Sequence, residues 1–273
     1  MMTQDLLTDA VLYIYALSLL FFVSDAASGN RSARRVGTGL LVFVWFIQTA
    51  FLIYILVQSL SHPALTLREF LFYVSWLLVS ASFLLNRWLK ADLLVLLVNV
   101  VGFAVLALNL IEHPRRKMEL ATEEVGRRLL VLHISFVTLS FAVLTVAALF
   151  ALMYLYLHRR LKTKKWTPLM SRMPGLQLID RYAYRSGLIG VPLLLLSLST
   201  GTAALLLTDG WKTLLDPKVM LAYGAGTVYV GSLIVSRTRR EAGQGLARWN
   251  LIGYALLIAD FFASAFSSFH HMF

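Results

Sequence analysis

The sequence predicts an all-α polytopic integral membrane bundle of about eight transmembrane helices, with both termini outside. Hydrophobic residues make up 59% of the chain and charged residues only 14%, whereas a soluble domain carries roughly 25% charged residues. The apolar residues fall in long runs, and no run alternates in the manner of an outer-membrane strand. A helical bundle in a lipid bilayer is therefore the predicted fold class.

Each predicted helix is a run of roughly 20 mainly apolar residues, the length that crosses a bilayer. The fifth run is longer, so we expect it to tilt or to project. Thr66-Leu67-Arg68-Glu69 is a capping-box pattern and predicts that the third helix begins there. The first run lacks a basic leader and a cleavage site, so we expect a retained helix. The predicted spans are 6–24, 37–60, 67–85, 92–111, 128–157, 187–207, 217–235 and 249–269.

The spans predict one membrane domain covering residues 1–273, with an N-terminal four-helix half at 1–124 and a C-terminal four-helix half at 125–273. The lysine and arginine residues in the connections predict how this domain is oriented in the membrane, because cytoplasmic connections carry more of them. One alternate set of connections holds 17 of the 25 such residues, and we expect it to be cytoplasmic. That set comprises 25–36, 86–91, 158–186 and 236–248.

Composition also limits the possible functions. The net charge of +11 does not predict nucleic-acid binding, because the basic residues lie between apolar runs and not along one solvated face. The chain has no cysteine, which excludes disulfides, thiolate metal sites and covalent haem attachment within it. No nucleophile and base form a recognisable constellation, so we expect a protein that is not an enzyme.

Histidines on two predicted helices match in depth on the outer side. His133 lies about one turn inside the outer end of the fifth helix, and His270 and His271 end the eighth. Two neutral imidazoles from facing helices can hold a haem iron from both sides, whereas zinc needs further ligands close by. A ligand pair and ordinary interfacial histidines are about equally supported by these residues. The remaining histidines are interpreted as loop or interface residues: His62, His113 and His158.

Two other polar features stand out. Asp216-Pro217-Lys218 predicts a helix start, with aspartate as N-cap and proline in the first helical position. Asp260 lies in the middle of the eighth predicted helix, where an ionisable group should face the bundle interior and have a partner, or be protonated.

Four segments follow one another in the second half of the chain: LHISFVTLSFAVLTVAAL, LIDRYAYRSGLIGVPLLLLSLSTG, DGWKTLLDPK and the terminal FHHMF. In this order they resemble the cytochrome c assembly protein family, which includes the CcsA-type and CcmC-type haem-handling membrane proteins, and in particular its HemX-like branch. The likeness covers roughly residues 125–273, and the first four helices are similar only in hydropathy and count.

The resemblance implies a bound haem b. Haem-handling members of the family have two outward histidines that bind the iron, and these fall on His133 and His270, with His271 as the alternative in register. The two histidines flank a tryptophan-rich outer segment that ends in W-D-P-K-E. That segment implies haem-binding roles for Trp211, Asp216 and Lys218.

This sequence departs from the family pattern within the same outer segment. Leu215 stands where the family has tryptophan, and Val219 stands where it has glutamate. The helix that follows contains no histidine, although the larger CcsA-type members have one inside the membrane there. Binding or sensing of haem is therefore a better expectation than its export through the bundle.

The function implied by the resemblance is that of a haem-binding protein in a bacterial plasma membrane. It would act in cytochrome c maturation or in regulation of haem biosynthesis, through the level of glutamyl-tRNA reductase. The expected partners are haem, membrane lipids, and cytochrome c maturation proteins or a soluble tetrapyrrole-synthesis enzyme. One alternative is a cofactor-free membrane scaffold or regulator acting through the basic loop 158–186. Another is a small-molecule transporter, for which no internal repeat is found.

Overall fold

The computed structural model of the chain describes residues 2–61, 67–89, 92–110, 124–164, 166–167, 170, 172–208, 214–239 and 243–270. Within these ranges the secondary structure is helical, without strands. Eight of the described helices are long and apolar enough to cross a membrane, which confirms the predicted class. They are α1 (Met2–Ser28), α2 (Arg31–Ser61), α3 (Leu67–Leu89), α4 (Asp92–Ala107), α5 (Glu124–Lys162), α6 (Leu176–Thr208), α7 (Pro217–Arg239) and α8 (Gln244–His270), with a 3₁₀ turn at Leu108–Leu110.

The helices group into two compact units, Met1–Glu119 and Leu120–Phe273. The first unit contains α1–α4 and the second contains α5–α8. Each unit has its own cluster of buried apolar side chains. The expected organisation as a single membrane domain stays a prediction.

Two hydrogen bonds between buried side chains join helices of the first unit. The Tyr15 hydroxyl of α1 donates to Asn99 Oδ1 of α4 at 3.0 Å, and Gln48 Nε2 of α2 donates to Ser75 Oγ of α3 at 3.2 Å. Helices in a membrane gain little from the hydrophobic effect against one another, so such bonds and close packing hold them together.

The connection between α1 and α2 is much shorter than the predicted 25–36. Gly29 ends α1 with a positive φ of 70°, and its N–H donates to the Asp25 carbonyl at 2.8 Å. Asn30 caps α2, because its Oδ1 accepts from the N–H groups of Ser32 at 3.0 Å and Ala33 at 3.3 Å. The helices therefore continue beyond the apolar runs to a two-residue link.

In the second unit α5 packs along α6 and against α8, and α7 packs on α8 and α6. The α5–α6 contact is close because Gly190 has no side chain. A Cβ atom at Gly190 would lie 2.6 Å from Leu144 Cδ2. The carbonyl of Gly190 accepts a hydrogen bond from Ser140 Oγ at 3.1 Å. Small residues permit this close approach between membrane helices.

The predicted loop 158–186 is mostly helical, which corrects the sequence-based interpretation. α5 continues to Lys162 and α6 begins at Leu176, so His158 lies within α5 and not in a loop. A run of apolar residues marks only the part of a helix that lies in the hydrocarbon core of the membrane. The main-chain hydrogen bonds of the helix can continue into the headgroup layer. The helix start predicted at Thr66–Glu69 agrees with α3, which begins at Leu67.

Candidate functional site

His133 is anchored to the main chain of α6. The half-buried imidazole crosses from α5, and its Nδ1 lies 2.7 Å from the carbonyl oxygen of Ser197. The Ser197 hydroxyl lies 3.2 Å from the same nitrogen. Both contacts come from one residue of the neighbouring helix, so the position of the ring depends on α5–α6 packing.

Gly201, one turn along α6, leaves the space that the ring occupies. A Cβ atom there would lie 2.6 Å from His133 Nδ1 and 2.7 Å from Cε1. Real Cβ atoms essentially never approach other heavy atoms this closely. Any residue with a side chain at position 201 would therefore displace the imidazole.

The Ser197 contact selects one tautomer of neutral His133. A carbonyl oxygen can only accept a hydrogen bond, so Nδ1 carries the proton at this short distance. The other ring nitrogen, Nε2, then keeps its lone pair. A histidine that donates one ring N–H to a carbonyl and presents the other nitrogen has the arrangement found in metal-ligating histidines.

The end of α8 lies at the level of His133 in the second unit. α5 and α8 run antiparallel, as the 2.7 Å contact between Thr145 Oγ1 and the Tyr254 hydroxyl shows together with the ring contact between Phe141 and Phe261, 6.4 Å between centroids. His133 lies eight residues before Phe141, and Phe269 lies eight residues after Phe261. Eight residues rise about 12 Å along either helix.

The matching level of His133 and the end of α8 is a property of the helix backbones. His270 is the last residue of α8. The side chain of His270, His271 and Trp211 lie outside the described part of the structure.

The start of α7 confirms the predicted cap. α7 begins at Pro217, and Asp216 Oδ1 accepts a hydrogen bond from the Lys218 N–H at 3.0 Å. The Asp216 carbonyl accepts the N–H of Met220 at 3.0 Å, which closes the first helical turn. Asp216 therefore fixes the position of Lys218 in the first turn of α7.

Lys218 is close enough to Asp260 of α8 to interact with it electrostatically. The sequence predicted that Asp260 has a partner or is protonated, and it did not identify a partner. The two charges lie near each other because α7 and α8 pack together.

Ser197 and Gly201 were not identified from the sequence. The available signal was a group of small residues, Ser197 and Ser199–Ala204, that interrupts the leucine-rich part of α6. Among the described residues, no three histidine, aspartate or glutamate side chains gather closely enough to hold a metal ion.

Comparisons with known proteins identify the family. Residues 6–271 match the model of the cytochrome C assembly protein family. Protein HemX of Brevibacillus brevis is 35% identical over 262 residues, which cover 96% of each chain. Protein HemX of Bacillus subtilis (strain 168) is 30% identical over 265 residues, which cover 97% of this chain and 96% of the relative. No solved structure matches the chain significantly.

The family match spans both compact units, so the likeness is wider than the residues 125–273 that carried it in the sequence. Together with the eight described helices that can cross a membrane, it makes the protein a multi-pass bacterial membrane protein. The chain belongs to the cytochrome c assembly protein family.

Proposed function

We propose that the protein binds haem b at the end of its second unit where α5 begins and α8 ends, with His133 and His270 as the two axial ligands. Binding there would serve cytochrome c maturation or the control of haem synthesis. The observation that carries the proposal is the 2.7 Å contact between His133 Nδ1 and the Ser197 carbonyl oxygen. That contact leaves Nε2 free to bind iron.

The described residues fit a haem ligand set. The Ser197 carbonyl holds the proton on Nδ1, and Gly201 leaves room for the ring. The α5–α8 register supports a second ligand from the end of α8, where the backbone of His270 lies at the level of His133. A bound haem would supply an iron centre that two imidazoles can bind, together with an apolar macrocycle.

Residues at the start of α7 would position the haem. Asp216 caps α7, and the cap holds Lys218 at the start of that helix. A lysine ammonium is a suitable partner for a propionate carboxylate of haem, and the Asp260 carboxylate of α8 also interacts electrostatically with this cation. Leu215, which is 68% exposed next to the cap, offers apolar surface where the family pattern has tryptophan. In this account Asp216 acts through helix geometry and not by touching haem.

A chromosomal His133→Ala strain tests the cellular role. We expect altered levels of glutamyl-tRNA reductase if haem binding controls haem synthesis, and reduced c-type cytochromes if it serves maturation. Ser135→Ala is the matched control, because Ser135 lies exposed on α5 and its hydroxyl donates to the Val131 carbonyl of the same helix. Normal levels of both in the His133→Ala strain, with normal amounts of the protein, would contradict a role for haem bound at this site.

A further inference from the structure

A basic cleft of about 500 Å³ lies between the last turns of α5 and the first turns of α8. This volume is within the range of roughly 300–1,000 Å³ that is typical of small-molecule sites. The cleft is far along α5 from His133, since its α5 lining begins at Leu155. It is therefore separate from the proposed haem ligands.

The lining of the cleft is cationic and follows helical spacing. Arg159, Lys162 and Arg248 carry positive charges, and none of the lining residues that the structure describes is acidic. Residues four apart share one face of a helix, so His158 lies beside Lys162 on α5. None of the three cations forms an ion pair with another described residue.

The Asp180 carboxylate of α6 lies beside the start of α8 and already accepts a hydrogen bond there. The N–H of Gly243 hydrogen-bonds the Asp180 carboxylate of α6, and Asp180 does not line the cleft. Gly243 has a φ of 130°, and a Cβ atom there would lie 2.9 Å from the Tyr154 hydroxyl. These contacts hold the start of α8 in place, and Asp180 is therefore not positioned among the three cations of the cleft.

The cleft lies where two spanning segments meet the headgroup layer. The α5 span ends at Lys162 and the α8 span begins at Gln244, and lysine and arginine counts predict that this end is cytoplasmic. Leu152, 50% exposed, lies two turns back along α5 toward the bilayer, and Trp249, 47% exposed, adjoins Arg248. Exposed tryptophan is typical of the membrane interface.

We propose that this cleft binds the phosphate headgroup of an anionic phospholipid from the cytoplasmic leaflet. Arg159, Lys162 and Arg248 contact the phosphate oxygens, and the acyl chains lie along the Leu152 and Leu155 face of α5. Basic pockets between membrane helices on the cytoplasmic side bind anionic headgroups in this way. The apolar face beside the cations favours a lipid over a free anion, because it also contacts the hydrocarbon.

Native mass spectrometry of the delipidated full-length protein, with added phosphatidylglycerol, tests the proposal. Arg159→Gln/Arg248→Gln should weaken binding about tenfold or more, since each basic residue near a headgroup contributes of the order of 1 kcal/mol. The matched control is Arg31→Gln/Arg35→Gln, which removes two exposed arginines from the same predicted side of the membrane. Binding to the control should equal that of the unsubstituted protein.

Two further arms separate the possible outcomes. Arg159→Lys/Arg248→Lys keeps the charges and should retain most of the phosphatidylglycerol binding, which excludes misfolding as the cause of a loss. Inorganic phosphate, added alone, should bind far more weakly than the lipid. Equal losses in the cleft and control variants would overturn the proposal, as would no loss in either. Phosphate binding as tight as that of the lipid would exclude a lipid as the occupant.

Discussion

The Nδ1 atom of His133 lies 2.7 Å from the main-chain carbonyl oxygen of Ser197, across the interface between α5 and α6. A carbonyl partner cannot be removed by substituting a side chain, so this contact depends on how closely the two helices pack. Gly201 is the residue that allows the ring to reach that carbonyl, since a Cβ atom there would lie 2.6 Å from Nδ1. The geometry of the proposed ligand can therefore be altered without changing the histidine.

Gly201→Ala should weaken haem binding while the protein stays folded. The added methyl group moves a side-chain ring and not the backbone, and a disturbed second-shell partner typically costs about 10–100-fold in affinity. Haem titration followed by absorbance measures the change. Gly231→Ala on α7 is the matched control, because a Cβ atom there meets nothing within 4 Å.

Ser197→Ala separates the two contacts that Ser197 makes with His133. The substitution removes the hydroxyl at 3.2 Å and keeps the carbonyl at 2.7 Å. Haem affinity should change by less than about fivefold, the usual scale of one net hydrogen bond. A large loss in this variant, or wild-type affinity in Gly201→Ala, would show that the carbonyl does not set the ligand geometry.

Asp216→Ala should lower the free energy of unfolding by about 1 kcal/mol, because the N-cap of α7 is lost. Asp216→Asn retains a side-chain acceptor for the Lys218 N–H, so it should have nearly the original stability and haem affinity. Thermal unfolding in detergent and haem titration measure the two properties. If the asparagine variant keeps its stability but loses haem, Asp216 contacts the ligand itself and the capping account of its role is wrong.

Lys218 and Asp260 should show coupling in a double-mutant cycle. Lys218→Met leaves the Asp260 carboxylate of α8 without its neighbouring cation, and Asp260→Asn added to it should recover part of the lost stability. We expect a coupling energy of about 1 kcal/mol for this partly exposed pair. Unfolding of the four proteins in denaturing detergent measures it, and strictly additive effects would show that the two charges do not interact.

The membrane spans and the cap of α7 were predictable because both are local. A run of apolar residues determines that a helix crosses the bilayer, and an Asp-Pro pair marks a helix start. The helix ends were less predictable. α5 continues to Lys162 and carries His158 within it, because a helix does not end where its apolar residues end. The Gly29-Asn30 pair was a local signal for the tight link between α1 and α2.

The environment of His133 could not be predicted from the sequence. Its position was visible as a polar residue in an apolar run, and the family resemblance gave it a role. Its partner Ser197 lies 64 residues away, and only the register of α5 on α6 decides which residue of α6 meets the ring. The pairing of Lys218 with Asp260 depends in the same way on how α7 packs against α8.

The absorbance and electron paramagnetic resonance spectra of the haem-loaded protein test the central claim most directly. Two axial imidazoles should give a low-spin ferric spectrum. His133→Ala should convert it to a high-spin spectrum or abolish binding, whereas His158→Ala should leave it unchanged. A low-spin spectrum that is identical in the His133→Ala variant would contradict the assignment of His133 as an iron ligand.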